Sequence, residues 1–388
     1  MSNVPEIRFK GFTDAWEQRR LGEVYDIYSG QTPFRGDENN FNNPTTAWIK
    51  TTDLSNASII KNEENISDKA LEKLRLLPNG TVLVAMYGGF NQIGRTGMLT
   101  YPATINQAIS ALPPVDDVDP YFLITELNHR VDDWKIVAAS SRKDPNITKK
   151  DVENFILKYP DTTEQSRIGT FFRTLDNTIA IHKRKLDGLQ ELKKAYLQMM
   201  FPQGGEIVPR VRFEGFTEPW QVCTLGDVVK NITTGKLDAN AMHCDGEYDF
   251  YTSGVKKYRI DKFAFEGQAI TIAGNGATVG YMHLADGKFN AYQRTYVLQH
   301  FLVDRQFLFC EISNKLPKKI AEEARAGNIP YIVMSMLTDL EIKCPVYSEE
   351  QTRIGQFFYT IDEQVIACGK EIEQLQILKK AYLQKMFN

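Results

Sequence analysis

The chain says the same thing twice, and an internal repeat of this size constrains its fold more than any other feature of the sequence. The segment from Val4 to Trp16, containing Arg8-Phe9-Lys10-Gly11-Phe12-Thr13, returns from Val208 to Trp220 with Arg212-Phe213-Glu214-Gly215-Phe216-Thr217, an offset of 204. Glu164-Gln165-Ser166-Arg167-Ile168-Gly169-Thr170-Phe171-Phe172 returns as Glu350-Gln351-Thr352-Arg353-Ile354-Gly355-Gln356-Phe357-Phe358, now offset by 186. The run Leu192 to Gln198 recurs unchanged at Leu378 to Gln384, again offset by 186. Three colinear matches make the chain a tandem duplication. The change of offset places extra material in the first copy, between about Gly30 and Ala85, where Gly36-Asp37-Glu38-Asn39-Asn40 and Asn42-Asn43-Pro44 read as loop.

Each copy ends in a long helix. After Pro160, with Thr162 or Thr163 as N-cap, apolar residues fall at Ile168, Phe172, Leu175, Ile179, Leu186, Leu189, Tyr196 and Met200. The second copy repeats the stripe at Ile354, Phe358, Ile361, Val365, Ile372, Leu375, Tyr382 and Met386, with His182 and Cys368 at one shared weak position. Steps of four and three mark a helix packed along a seam against another helix. About 37 residues at ~1.5 Å each give ~55 Å, too long and too apolar on one stripe to stand alone. The expected partner is its own duplicate in an antiparallel pair, the alternative being separate docking of each helix onto other subunits.

The middles read as mixed β with short helices, so the fold class is α+β. Thr81 to Tyr87, Ala269 to Ala273, Tyr281 to Leu284 and Tyr296 to Leu298 read as strands, and Asp68 to Leu76 and Asp304 to Leu316 as helices. The expected organisation is a first module over 1–160, a long helix over 161–201, a linker over 202–209, a second module over 210–345 and a second long helix over 346–388. Trp16 and Trp220 read as packing anchors, and Tyr196 and Tyr382 as members of the helix seam.

Reactive groups at workable spacing are missing. The sequence contains no GxxxxGK[ST], HExxH or GxSxG motif. Its five histidines are scattered, and its five cysteines form no CxxC pair, which argues against a zinc site or a disulfide framework. Gly274 to Gly280 approaches a dinucleotide fingerprint but leads into a strand instead of a helix. Pro160-Asp161 with Glu191-Leu192-Lys193 mimics a nuclease pattern, yet Glu191 lies far along a helix from Asp161. The expectation is a non-catalytic chain holding no metal or cofactor of its own. Net charge is −3, so any nucleic-acid binding must come from local basic groups. With no apolar signal core and no run of 18 apolar residues, a soluble, reduced, cytoplasmic protein is expected.

A binding role fits the loops better. The glycine-rich loops starting at Tyr87 and at Gly274 carry Asn91, Gln92, Arg95, Asn275 and Thr278. Asn106 and Gln107 match Tyr292, Gln293 and Arg294, while Ser141, Arg142, Lys143 and Asn146 match Arg325, Asn328 and Tyr331. Glycine lets a backbone approach a ligand closely, and Asn, Gln and Arg bond base edges in pairs. Arg142, Lys143 and Arg325 suit phosphates, which position a protein without specifying sequence.

Together, the Arg-Phe-x-Gly-Phe-Thr openings, the Leu-Gly-x-Val that follows each, the Glu-Gln-x-Arg-Ile-Gly-x-Phe-Phe helix starts and the Leu-Lys-Lys-Ala-Tyr-Leu-Gln closings resemble the specificity subunit of type I restriction-modification enzymes over essentially the whole chain. The resemblance implies two target recognition domains, each reading half of a bipartite, asymmetric site on double-stranded DNA. It implies that the paired helices, as a coiled coil, set the spacer and dock two methyltransferase (modification) subunits. S-adenosylmethionine would belong to those subunits, and ATP with magnesium to two further restriction (translocase) subunits. Gln92, Arg95, Asn275 and Arg294 would then discriminate bases. The competing expectation is a stand-alone sequence-specific DNA-binding regulator.

Overall fold

The computed structural model describes residues 4–139, 145–323 and 330–387, and the chain divides into two compact units. One unit comprises Met1–His182 with Glu371–Asn388, the other Lys183–Lys370.

The first unit runs β1 (Glu17–Arg20), α1 (Leu21–Val24), β2 (Tyr28–Ser29), β3 (Thr46–Ile49), β4 (Ala57–Ile59), β5 (Asn65–Ile66), α2 (Asp68–Leu71), β6 (Val82–Ala85), β7 (Thr96–Leu99), β8 (Thr104–Ile105) and β9 (Ile109–Leu112). Then come α3 (Pro120–His129), α4 (Val131–Ala139), α5 (Lys149–Asn154), β10 (Ile156–Tyr159) and the start of α6 (Thr162–Met200). Its main sheet has the order β2-β9-β6-β7-β4, and a smaller one the order β5-β3-β8. Strand β6 is buried on both faces: Val82 and Val84 enter a core with Phe122 and Trp134, while Leu83 and Ala85 enter another with Ile49 and Ile105. This explains why Val82 to Ala85 is apolar throughout and does not alternate.

In the second unit, β11 (Gln221–Thr224), α7 (Leu225–Val228), β12 (Val229–Thr234), β13 (Tyr248–Tyr251), β14 (Tyr258–Ile260), β15 (Phe265–Glu266), β16 (Ala269–Ala273), β17 (Met282–Ala285), β18 (Lys288–Ala291) and β19 (Thr295–Phe301) precede the helices. These are α8 (Arg305–Glu323), α9 (Met334–Thr338) and, after β20 (Glu341–Cys344), α10 (Ser348–Phe387). The sheets read β12-β19-β16-β17 and β14-β13-β18-β15. The first reproduces β2-β9-β6-β7, so the module is repeated even where the sequences have diverged. In the first copy the longer segment after β2 supplies an added edge strand, β4, parallel to β7.

The long helices span 39 and 40 residues. In the first unit Asp176 meets Lys379 at 2.5 Å and His182 Nδ1 lies 2.9 Å from Glu371, numbers rising on one helix as they fall on the other. In the second unit Lys193 meets Asp362 at 2.5 Å, and the Tyr196 ring packs on Phe357 at 5.1 Å. Both segments are therefore antiparallel pairs, as the seam predicts. Tyr382 packs on Phe171 at 5.0 Å in the first unit, the counterpart of the Tyr196 contact.

The recurring motif residues are the parts that build each unit. Arg8 grips Glu164 with two bonds, 2.9 and 2.6 Å, and Arg212 grips Glu350 at 2.6 and 2.8 Å, with both carboxylates fully buried. The Gln165 side-chain Oε1 accepts from Asp119 N at 2.9 Å, and Gln351 Oε1 from Asp304 N at 3.0 Å. Trp16 stacks edge-on to Phe122 and Phe387, and Trp220 to Phe307 and Phe201, so both tryptophans are core anchors.

Two local expectations change. The cap of α6 is Asp161, one residue earlier than Thr162 or Thr163: its Oδ1 accepts from Thr163 N (2.8 Å) and Glu164 N (3.1 Å), where a carboxylate also meets the positive helix end. The helix expected from Asp68 to Leu76 stops at Leu71. Leu77 instead pairs with Ala103 through two backbone bonds, and a residue before proline is driven towards extended backbone.

Candidate nucleic-acid interface

Three loops that are remote in sequence are drawn together in each unit by the same backbone bonds. In the first unit Met86 N donates to Ala108 O (2.8 Å), and Ile147 N donates to Met86 O (3.0 Å). The second unit repeats this as Gly274 N to Arg294 O (2.8 Å) and Ile332 N to Gly274 O (2.8 Å). The loop after β6, the turn before β9 and the approach to α5 thus converge, as do the loop after β16, the turn before β19 and the approach to α9. The first two loop pairs singled out in the sequence are neighbours, and the described ends of the third, at Ile147 and Ile332, join them.

Each glycine-rich loop is pinched shut at its base. Gly94 N bonds Ala85 O (3.0 Å) and Gly280 N bonds Ala273 O (2.8 Å). Both glycines have left-handed φ, 72° and 82°, and a Cβ would lie 2.4 Å from Trp134 or 2.7 Å from Ile320, so only glycine lets the loop close onto its helix.

A fourth loop joins these, and sequence reasoning missed it. Gly30 N donates to Ile109 O (3.3 Å) and Gly235 N to Thr295 O (3.1 Å). A Cβ at Gly30 would lie 2.2 Å from Ile105 O, and at Gly235 1.9 Å from Ala291 O. The signal was present: Ser29-Gly30-Gln31 and Thr234-Gly235-Lys236 follow the repeated Leu-Gly-x-Val at nearly equal distance. Gln31, Thr32 and Lys236 therefore flank the interface.

The predicted residues divide by their partners. Arg95 donates to Asn91 O (3.3 Å) and Leu54 O (3.5 Å), so its guanidinium braces its own loop. Asn275 accepts from Ser253 Oγ at 2.8 Å, and the Thr278 hydroxyl donates to Ser253 O. Asn106 accepts from Ala108 N at 3.1 Å, Gln107 is bonded to the Thr32 hydroxyl, and Gln293 donates to Asp238 at 3.4 Å. Gln92 points inward, its Oε1 buried without a partner. By contrast, the side chains of Tyr87, Asn91 and Asn146 in the first unit, and Tyr292, Arg294 and Tyr331 in the second, make no polar contact among the described residues. Arg294 and Tyr331 border a 310 Å³ pocket with Thr234, Gly274, Gln293 and Tyr296. Ser141, Arg142, Lys143, Arg325 and Asn328 lie outside the described residues.

The family described as Type I restriction modification DNA specificity domain matches residues 13–191 and 217–376, one copy of the repeat each. The chain belongs to this family. A type I restriction enzyme specificity subunit of Escherichia coli, EcoDI, is 40% identical over 162 residues, 42% of this chain but only 35% of that protein. The MjaIX specificity subunit of Methanocaldococcus jannaschii is 20% identical over 96% of this chain and 92% of its own length. The crystal structure of a type I restriction-modification S subunit from M. genitalium superposes with a TM-score of 0.75 at 17% identity, covering 99% of both chains, a likeness of fold. Among the described residues of this specificity-domain chain, no helix is long and apolar enough to cross a membrane, and no cluster of His, Cys, Asp or Glu is arranged to hold a metal ion.

Proposed function

We propose that the chain is the DNA-reading subunit of a type I restriction-modification complex, each unit recognising one half of a bipartite, asymmetric sequence. One observation carries the reading: the same four-loop convergence is built twice on the same bonds, yet presents different free side chains, Tyr87, Asn91 and Asn146 in one unit and Tyr292, Arg294 and Tyr331 in the other. A shared frame with unlike tips is what recognition of two unlike half-sites requires. Arg294 suits the paired acceptors of guanine, O6 and N7, and the Asn91 amide suits the N6 donor and N7 acceptor of adenine, each contact worth about 1–3 kcal/mol of discrimination in the major groove. Lys236, exposed and without an ionic partner among the described residues, supplies a phosphate contact.

In this reading the chemistry belongs to partners. Two methyltransferase subunits would dock on the paired helices and hold S-adenosylmethionine; restriction subunits would bring ATP and magnesium. The extruded target base would enter a partner's pocket. The test is methylome sequencing of cells expressing this chain with its cognate methyltransferase: a bipartite motif with a fixed gap is expected, and a contiguous palindrome contradicts the proposal.

A further inference from the structure

The turn at Gly30 leads into a segment that the second copy shortens, and this segment exposes an aromatic ring. Phe34 is 75% accessible, among the most exposed large apolar side chains described. Its backbone is nevertheless held firmly. Phe34 O accepts from Asp37 N (3.2 Å) and Asn40 Nδ2 (3.0 Å). The next residue, Arg35, lies over the rings of Phe41 (4.8 Å) and Trp48 (5.1 Å) and donates to both Glu64 oxygens at 2.5 and 2.9 Å. Upstream, Gln31 O accepts from Trp48 Nε1 at 3.3 Å, and Thr32 is bonded to Gln107 at the interface. The ring itself lies against Gly36, where a Cβ would come within 2.7 Å of it. A stacked arginine, a carboxylate and a tryptophan thus brace a loop whose tip is a bare ring, two residues from Thr32, which bonds Gln107 on the turn before β9.

We propose that Phe34 is a wedge that enters the duplex beside the half-site read by the first unit, stacking on one base and holding a single step open. The proposal rests on the DNA-reading function above. Apolar side chains inserted between base steps unstack and kink the duplex, and a ring on a braced loop is pre-positioned for this. The wedge reads no base edge; it favours steps that unstack readily, pyrimidine–purine steps foremost. In the second unit the turn continues as Gly235-Lys236-Leu237-Asp238-Ala239, with alanine at the place of Phe34, so the wedge acts on one half-site only.

The experiment uses the full chain in complex with its cognate methyltransferase and duplexes carrying 2-aminopurine at successive steps in and beside the first half-site. Apart from the extruded target base, the wild-type complex is expected to raise fluorescence at one further step, beside the first half-site. Phe34→Ala abolishes that rise and weakens binding about ten-fold, Phe34→Trp keeps both, and a mismatch at the same step restores binding to Phe34→Ala because the step is already open. Thermal unfolding of Phe34→Ala stays unchanged, since the ring is exposed. Equal fluorescence in wild type and Phe34→Ala overturns the wedge, as does a variant that loses methyltransferase copurification while its DNA response is intact. A wild-type complex with no sequence-specific binding at all overturns the DNA-reading function itself, and the wedge with it.

Discussion

Glu126 and Glu311 occupy matching places on α3 and α8, both buried and both with Oε2 lacking a hydrogen-bond partner. Burial raises the Glu126 carboxyl to about 7, and Arg130, 3.3 Å away, only partly offsets it. The folded-state value lies above the unfolded one, so stability is fully present below pH ~4.5 and is lost as pH rises through 7. The loss is of the order of 3 kcal/mol. Glu126→Gln is expected to remove this component: urea unfolding at pH 5 and pH 8 should show the variant gaining on wild type at the higher pH, and a parallel fall in both proteins would contradict it. Arg212→Ala strands the Glu350 carboxylate in the core and is expected to cost about 3–5 kcal/mol in the same assay. The glycines at 30 and 235 were legible only as a repeated spacing, because what demands them is a carbonyl from a distant strand that no local pattern shows. For the same reason sequence could nominate Arg95 and Asn275 as readers but could not show that Leu54 and Ser253 already engage them.

At the scale of the element, the long helices were the most legible part of the chain. A seam repeated over eleven turns leaves little freedom, and the pairs Asp176–Lys379 and Lys193–Asp362 hold the antiparallel register that the seam implies. Short elements were less legible: α2 ends early because Leu77 finds a strand partner, and the small sheets follow from pairings between remote segments. If the helices set the spacer, removing 180–186 from α6 and 366–372 from α10 takes out two turns and preserves the four-three seam. The gap between half-sites should then shorten by about three base pairs at ~1.5 Å per residue, both half-sites unchanged, as read by methylome sequencing. A change in half-site sequence with the gap intact would speak against the helices as spacer.

For the whole molecule, the duplication yields two units that are not simply the two copies. The first unit's core includes Met386 and Phe387, from the very end of the second copy, and the second unit's core includes Met200 and Phe201, from the end of the first. This explains why Met-Phe closes both helices, which the repeat alone did not. Phe387→Ala is expected to cost about 3–5 kcal/mol and to unfold the first unit early, seen as loss of hydrogen-exchange protection in β6 and β9 with β16 and β19 unaffected. The central claim is that two units on one frame read two different half-sites. Its most direct test is the methylation motif produced with the cognate methyltransferase by the double variant Arg294→Ala, Tyr331→Ala, compared with wild type. Relaxation of one half-site, with the other half and the gap unchanged, is the predicted result; two halves altered alike, or none altered, would contradict the account.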